Sequence, residues 1–151
     1  GQGIYVVPIQ DKIFGEVLPS IEEIAASLAK KERVKIMPTG QYALNKIGLS
    51  TQVPMKMVFL TNGTKKSISI GKSSIVFQPT TAKKMAMTGT ISSLLFLGLA
   101  ELDLDQLSEL EIEKIINLLE KEDAKKLKHD LKLAPSRISD FVIKYFLRQT
   151  V

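Results

Sequence analysis

The chain has 151 residues, of which 44% are hydrophobic and 25% charged, and its net charge is +5. This length suits one domain with a real core, and the composition is that of an ordinary soluble globular protein. The absence of cysteine excludes disulfides and thiolate zinc sites, and a single histidine, His129, leaves little for imidazole metal chemistry. A chain without cysteine fits the reducing cytoplasm, where we expect this protein to be located.

Charge is distributed unevenly along the chain. Residues 1–100 carry 12 Lys/Arg and 5 Asp/Glu, residues 101–123 carry 2 and 9, and residues 124–151 carry 7 and 2. This pattern favours association with a polyanion or with an oppositely charged protein, although solvated faces produce the same pattern. The longest apolar run, Met85–Ala100, is shorter than the roughly 20 residues of a membrane helix. It predicts a buried helix, and no membrane association is predicted.

The first residues read as the end of something longer. Ile4, Val6 and Val7 favour a strand, yet no earlier strand precedes them, and Pro8 stops the run. We therefore interpret residues 1–8 as the remnant of a preceding element. Residues 9–151 are predicted to form a single domain with a helical C-terminal half.

The remaining patterns predict an α+β fold, with a small, mainly antiparallel sheet packed against helices. Ser20 and Ser108 each begin a capping box, completed by Glu23 and Glu111. Asn62-Gly63 indicates a hairpin, so residues 55–78 are predicted to form a three-stranded antiparallel meander. Apolar periodicity and turn residues give strands at about 34–37, 55–61, 66–70 and 74–78, and helices at about 20–31, 39–47, 90–102, 108–119, 122–131 and 135–148. The helix at 90–102 is apolar nearly all round and is expected to be central.

Catalytic chemistry has little support in the sequence. No Asp or Glu occurs between Glu32 and Glu101, a span that contains all these strands, so the carboxylates that would hold Mg²⁺ on core strands are missing. No phosphate-binding loop is present, and Gly71-Lys72-Ser73 is interpreted as a hairpin turn. His129 lies in a polar run, Lys125–Asp130, and is predicted to be solvated. We expect a protein that is not an enzyme, with no metal, cofactor or small-molecule substrate.

Basic residues give better support to nucleic-acid contact. They cluster at three places: the end of the first helix, the predicted hairpin tip and the segment before the central helix. Lysine binds backbone phosphate without reading sequence, and few aromatic residues are available for base stacking. The candidates for a non-specific contact are Lys30, Lys31, Arg33, Lys35, Lys65, Lys66, Lys83 and Lys84.

The stretch PTGQYALNKIGLSTQVPMKMVFLTNG, residues 38–63, carries the most specific signal. It resembles the effector region of AbiEi-type antitoxins of type IV toxin–antitoxin systems, which act in abortive infection and phage defence. Those proteins share a short helix with Gly then Ala, a terminating Gly-Leu, Thr-Gln-Val-Pro, and an apolar strand leading to Thr-(Asn/Asp)-Gly. The preceding GIYVVP is similar to the end of that family's N-terminal winged helix, where the wing leads into a linker.

The resemblance implies a bacterial cytoplasmic transcriptional regulator without catalytic residues. Such a protein neutralises a nucleotidyltransferase-like toxin, by direct or indirect contact, and represses its own operon. The DNA-reading winged helix is missing here, so operator binding is not assigned to these residues, and the basic surface would only aid it. The residues that carry the match are the candidates for facing a partner: Thr39, Gly40, Asn45, Ser50, Thr51, Gln52, Pro54, Thr61, Asn62 and Gly63.

A purely structural interpretation stays open for each of these residues. The glycines would only permit backbone geometry, and Asn45 would only tie down the connection at residues 50–54 through its side chain. Two other functions also stay open: a basic nucleic-acid-binding accessory domain, and a degenerate nuclease-like fold that has lost its metal site. The connection at 50–54 and the Asn62-Gly63 turn are the parts we expect to face a partner.

Overall fold

The computed structural model describes residues 20–147 and confirms the α+β class. The strands are β1 (Ile36–Pro38), β2 (Lys56–Thr61), β3 (Lys66–Ile70) and β4 (Ser73–Pro79). The helices are α1 (Ile21–Glu32), α2 (Gly40–Lys46), α3 (Ala82–Met85), α4 (Thr90–Leu99), α5 (Glu109–Lys121), α6 (Ala124–Leu131) and α7 (Ser136–Val142), with a 3-10 turn at Leu104–Gln106 and a π-helical turn at Ile143–Leu147. Both predicted capping boxes are present at α1 and α5. The interpretation of residues 1–8 lies outside the described residues.

The sheet is mixed, with strand order β1-β2-β4-β3. β2 pairs with β4 in parallel, while the β1–β2 and β3–β4 pairs are antiparallel. The predicted meander is therefore wrong, because β2 and β3 do not pair and Asn62-Gly63 does not close a hairpin. The chain instead passes from the end of β2 to the edge strand β3, and β4 returns between them. The central position of β2 and β4 agrees with their burial, since β2 has four buried residues and β4 has three in a row, Ile75–Phe77, whereas the edge strand β3 has one.

Two apolar cores lie in the described region. One joins α1 to the sheet and includes Leu28, Phe59 and Phe77. The other is built from the helical half around α4, and two sheet residues, Met37 and Leu60, belong to it. None of the helices in residues 20–147 has the length and hydropathy that crossing a membrane would require.

The N-terminal end of α4 is held by two carboxylates from distant helices. α4 begins after Gly89, which offers no side-chain cap. Asp130 of α6 accepts hydrogen bonds from the Thr88 and Gly89 amides, both at 2.7 Å, and from the Ser92 hydroxyl at 2.6 Å. Glu122, just before α6, accepts from the Ile91 amide at 2.7 Å and the Ser92 amide at 2.6 Å. Negative charge at this end is also favoured by the helix dipole.

The C-terminal end of α4 is held by a cation. The Arg137 guanidinium of α7 donates to the carbonyl oxygens of Ala100 at 2.6 Å and Leu102 at 3.2 Å, and at 3.4 Å to that of Leu99. These carbonyls lie at or just after Leu99, the last residue of α4, where the helix has no further amides to bond them. The central position predicted for α4 is confirmed, since Ser92 and residues 95–99 are buried.

Asp130 corrects the prediction of a polar surface at Lys125–Asp130. Its side chain is fully buried, whereas half of the neighbouring His129 side chain is exposed, as predicted for that residue. Burial raises the pKa of the Asp130 carboxyl, but hydrogen bonds from Ser92, His129 and the Thr88 and Gly89 amides outweigh burial and leave the pKa below its usual value. The carboxylate form is therefore the one built into the fold.

We predict that Asp130→Asn destabilises the protein by about 2–4 kcal/mol, because an amide cannot accept from all the donors and leaves a buried N–H or O–H unpaired. Urea unfolding followed by circular dichroism measures the change. Asp140→Asn is the matched control, since Asp140 is exposed and its substitution should leave the midpoint unchanged. Equal effects of the two substitutions would contradict the role of Asp130.

Comparison of the native sequence with Asp130→Asn also gives a prediction on the pH dependence of stability. A carboxyl whose pKa is lowered by folding stabilises the native state above its unfolded pKa of about 3.9, and this stabilisation is lost as pH falls through the folded pKa. The stability difference between the native sequence and Asp130→Asn should therefore be full at neutral pH and shrink below about pH 4. A difference that does not change with pH would contradict a native carboxylate.

Candidate functional site

Thr39 and Gly40, the first two candidates for facing a partner, lie at the start of α2. The Thr39 amide donates to the carbonyl oxygen of Val58 at 3.1 Å, and its hydroxyl lies 3.4 Å from that of Leu97. Gly40 is buried and has φ of +60°, a conformation that favours glycine. Thr39 is partly buried, and the two residues join α2 to β2 and α4.

The Asn45 side chain ties down the connection at residues 50–54. The Asn45 amide nitrogen donates to the carbonyl oxygens of Ser50 at 3.3 Å and Gln52 at 3.1 Å. The Ser50 hydroxyl accepts from the Gln52 amide at 3.2 Å. The structural interpretation of Asn45 is thereby confirmed.

The same connection presents an exposed surface. Thr51 and Gln52 are exposed and Pro54 is partly buried. Val53 is 66% exposed and Met55 is 56% exposed, which makes them two of the four large apolar residues that are exposed in the described region. We call Val53 and Met55 the apolar pair. Neither residue was among the candidates predicted from the sequence, although both lie in the stretch that carries the resemblance.

The C-terminal end of β2 is hydrogen-bonded to Lys35, the residue before β1. Thr61 is fully buried, donates to the Lys35 carbonyl oxygen at 2.9 Å and accepts from the Gly63 amide at 3.1 Å. The Asn62 side chain accepts from the Lys35 amide at 2.9 Å. A Cβ on Gly63 would lie 2.5 Å from the Val34 side chain, so this close approach requires glycine. Thr61 and Gly63 therefore serve the fold, and only Asn62 of the three is exposed.

The eight basic candidates come together at one end of the sheet, which we call the basic end. The Asn62–Lys35 bond joins the segment after α1 to the turn after β2. The Lys35 ammonium donates to the Met85 carbonyl oxygen at 2.7 Å, which brings in α3, and Lys66 pairs with Glu32 at the end of α1. Three segments that are separate in sequence thus form one surface.

The basic end divides into engaged and available cations. Lys35 and Lys66 are engaged in the two contacts just described. Lys84 is partly buried. The side chains that are exposed and show no ion pair within the described residues are Lys30, Lys31, Arg33, Lys65 and Lys83. Because residues 33–100 contain no acid, this surface faces little competing negative charge from its own segments.

The model of a protein family described as a family of unknown function, DUF6088, matches residues 1–127. The chain belongs to DUF6088. The match covers the whole sheet, α1 to α5 and the first half of α6, and α7 lies beyond it. No curated protein and no solved structure gave a significant match.

One cluster in this DUF6088 chain has the residue types of a catalytic triad in the wrong arrangement. Asp130 lies between the other two, 2.6 Å from the Ser92 hydroxyl and 2.9 Å from the His129 ring nitrogen Nδ1. A triad needs histidine between serine and the acid, so that the ring takes the hydroxyl proton. Ser92 is also fully buried. Within residues 20–147, no three His, Asp or Glu side chains lie close enough together to hold a metal ion.

Sequence reasoning missed a groove in the helical half of this DUF6088 chain. It has a volume of about 440 Å³ and lies between the 3-10 turn, α5 and α7. Its apolar floor includes Leu107, Ile112 and Phe141, and its lining includes Asp103, Asp105 and Asp140. We call this the acidic groove. The excess of acids in residues 101–123 was visible in the sequence, but the packing of α7 beside it was not.

We predict that Asn45→Ala costs about 1–2 kcal/mol of stability, because two hydrogen bonds to the connection are lost. The connection should also be cleaved faster by a protease, since its carbonyls lose their anchor. Gln41→Ala is the control, because Gln41 is exposed on the same helix. If both variants are cleaved at the same rate as the native sequence, Asn45 does not hold the connection.

Proposed function

We propose that this chain is the effector domain of an AbiEi-type antitoxin, a non-enzymatic domain that neutralises a nucleotidyltransferase-like toxin and supports autoregulation of its operon. The observation that carries this proposal is the apolar pair. Val53 and Met55 are exposed in the middle of the stretch that resembles the antitoxins, on a connection that Asn45 holds in place.

The connection at residues 50–54 is suited to binding a partner because its backbone is fixed. An exposed apolar residue contributes to affinity when a partner covers it, and a segment already ordered loses less conformational entropy on association. The hydrogen bonds from Asn45 fix the backbone on the N-terminal side of the pair, and the Met55 carbonyl accepts from the Ser74 amide at 2.8 Å on the other side. The side chains are thus presented at the surface from a fixed backbone.

The two carboxylates at the start of α4 also support a role in binding rather than catalysis. Asp130 and Glu122 each accept hydrogen bonds from the N-terminal end of α4, so their oxygens are committed to the fold. The Asp130 pKa lies below its usual value, which disfavours a proton donor at neutral pH. A general acid or base would need the opposite tuning, towards the working pH.

The test is co-expression of the full-length protein with the nucleotidyltransferase-like toxin encoded beside it, scored as growth. We expect Val53→Asp/Met55→Asp to lose most of the growth rescue, because a charged pair cannot be buried against an apolar partner surface. Leu110→Asp is the matched control, since Leu110 is 62% exposed on α5 and its substitution should preserve rescue. Protein levels and circular dichroism show that the variants are present and folded.

Two outcomes would overturn this proposal. Rescue by the aspartate pair equal to that of the native sequence would remove the apolar pair from neutralisation. Absence of any rescue by the native full-length protein would remove the antitoxin function itself.

The basic end favours a second function, contact with nucleic-acid backbone. Five exposed cations from three segments share this surface. The acid that lies among them, Glu32, is paired with Lys66. Such a surface attracts phosphate mainly through release of counterions, a contact that does not read sequence. It would support a DNA-reading domain elsewhere in the protein rather than replace it.

For this function we predict that random duplex DNA binds at low salt and that its affinity falls linearly in a logarithmic plot against salt. Each neutralised phosphate contributes a slope of about 0.9. Lys30→Gln/Lys65→Gln/Lys83→Gln should flatten the slope, whereas Lys125→Gln/Lys128→Gln, two exposed lysines of α6, should leave it unchanged. Fluorescence anisotropy measures both. Equal flattening by the two sets would locate the contact elsewhere, and no binding at low salt would exclude it.

A further inference from the structure

The chain carries two surfaces of opposite charge that lie at opposite ends of α4. The basic end reaches α3, since Lys35 bonds to Met85 just before the start of α4. The acidic groove begins just after the end of α4, where Asp103 and Asp105 follow. A helix of 10 residues rises about 15 Å, so α4 separates the two surfaces by more than a Debye length at physiological salt.

The available charge at the acidic groove is negative. Three acids, Asp103, Asp105 and Asp140, and two cations, Arg137 and Lys144, line it, so the lining carries a net charge of −1. The Arg137 guanidinium is directed at the carbonyls after α4, and the Lys144 ammonium lies 5.0 Å from the centre of the Tyr145 ring. Asp105 and Asp140 are exposed and have no ion pair in the described part of the chain. The exposed acids at the start of α5, Glu109, Glu111 and Glu113, extend the same field.

We propose that the acidic groove binds the basic end of a second copy of this chain, head to tail. Charge complementarity identifies the occupant, because the chain itself presents the cationic surface that the acidic groove fits. The aliphatic stems of Lys30, Lys65 and Lys83 would cover the apolar floor while their ammonium groups meet Asp105 and Asp140. The separation along α4 prevents these surfaces from meeting within one copy. A head-to-tail dimer keeps one unoccupied acidic groove and one unoccupied basic end. Association therefore continues into short linear oligomers.

The contact is expected to be weak and strongly dependent on salt. Exposed ion pairs contribute little individually, and added salt screens them. Association should therefore be visible at about 10 mM salt, where the Debye length is about 30 Å, and absent at about 1 M, where it is about 3 Å. This proposal does not rest on the antitoxin function, since neither surface includes the apolar pair.

Two charge-reversal variants test the proposal by sedimentation velocity at high micromolar concentration. One, Lys30→Glu/Lys65→Glu/Lys83→Glu, keeps the acidic groove but loses the basic end. The other, Asp105→Lys/Asp140→Lys, keeps the basic end but reverses the groove. Each alone should associate at least about tenfold more weakly than the native sequence, because each lacks one of the two surfaces.

The mixture of the two variants gives the decisive result. The intact groove of the first fits the intact basic end of the second, so an equimolar mixture should form a one-to-one complex that grows no further. Lys125→Glu/Lys128→Glu is the control, since it changes the charge of α6 and should leave association unchanged. Circular dichroism confirms that the variants are folded.

Three outcomes would overturn the proposal. The native protein could sediment as a monomer at low salt. Either charge-reversal variant could associate as strongly as the native protein. The mixture could also contain monomers only, although the native sequence associates, which would place the contact on other surfaces. Competition by a short random DNA duplex is a supporting outcome, because DNA would occupy the same basic end.

Discussion

The helix α4 imposes the constraint on which the described fold depends. It is mostly apolar and buried, yet the amides at its start and the carbonyls at its end need hydrogen-bond partners that the helix itself cannot supply. Its own sequence provides no cap, because Gly89 precedes it and its last turn has no basic residue. The partners must come from elsewhere in the chain. Asp130 and Glu122 satisfy the amides and Arg137 satisfies the carbonyls.

This solution ties the two halves of the chain together. α4 contacts the sheet region through α2 and β1, and its ends are held by residues that follow it by more than 20 positions. The C-terminal helices therefore stabilise α4 in two ways, since they supply apolar contacts along it and charged side chains at its ends. The charges also match the helix dipole at both ends. A solvent-exposed helix of the same length would need none of these long-range partners.

Local signals predicted the elements well. The two capping boxes, the apolar helix, the exposed His129 and the tie from Asn45 to residues 50–54 all depend on residues close in sequence, and the structure contains each of them. Helix ends were predicted less exactly. The helix predicted at 90–102 ends at Leu99, and a distant residue, Arg137, bonds the carbonyl oxygens of Leu99, Ala100 and Leu102.

Long-range choices could not be predicted in the same way. Asn62-Gly63 has the chemistry of a hairpin, but its side chain and backbone are used to join β2 to β1 instead. One usable signal was present, since β3 alternates polar and apolar residues as an edge strand does, while β4 is continuously apolar over Ile75–Phe77 as a central strand is. The burial of Asp130 had no such signal, because a lone acid in a lysine-rich run is normally solvated. The basic residues meet at one end of the sheet because of the strand order β1-β2-β4-β3, so their proximity could not be predicted either.

The residues that carry the family resemblance prove to be mostly structural. Gly40, Asn45, Thr61 and Gly63 each satisfy a backbone or packing requirement within the chain. A pattern of this kind reflects what the α2–β2 unit of this chain requires of its own backbone and packing. It does not identify a partner, which must be recognised by side chains that the framework leaves free. In this chain those are the apolar pair, the available cations of the basic end and the acids of the groove. None of these is fixed by the requirements of the fold, so a partner surface in such a domain would be expected to vary while the framework stays the same.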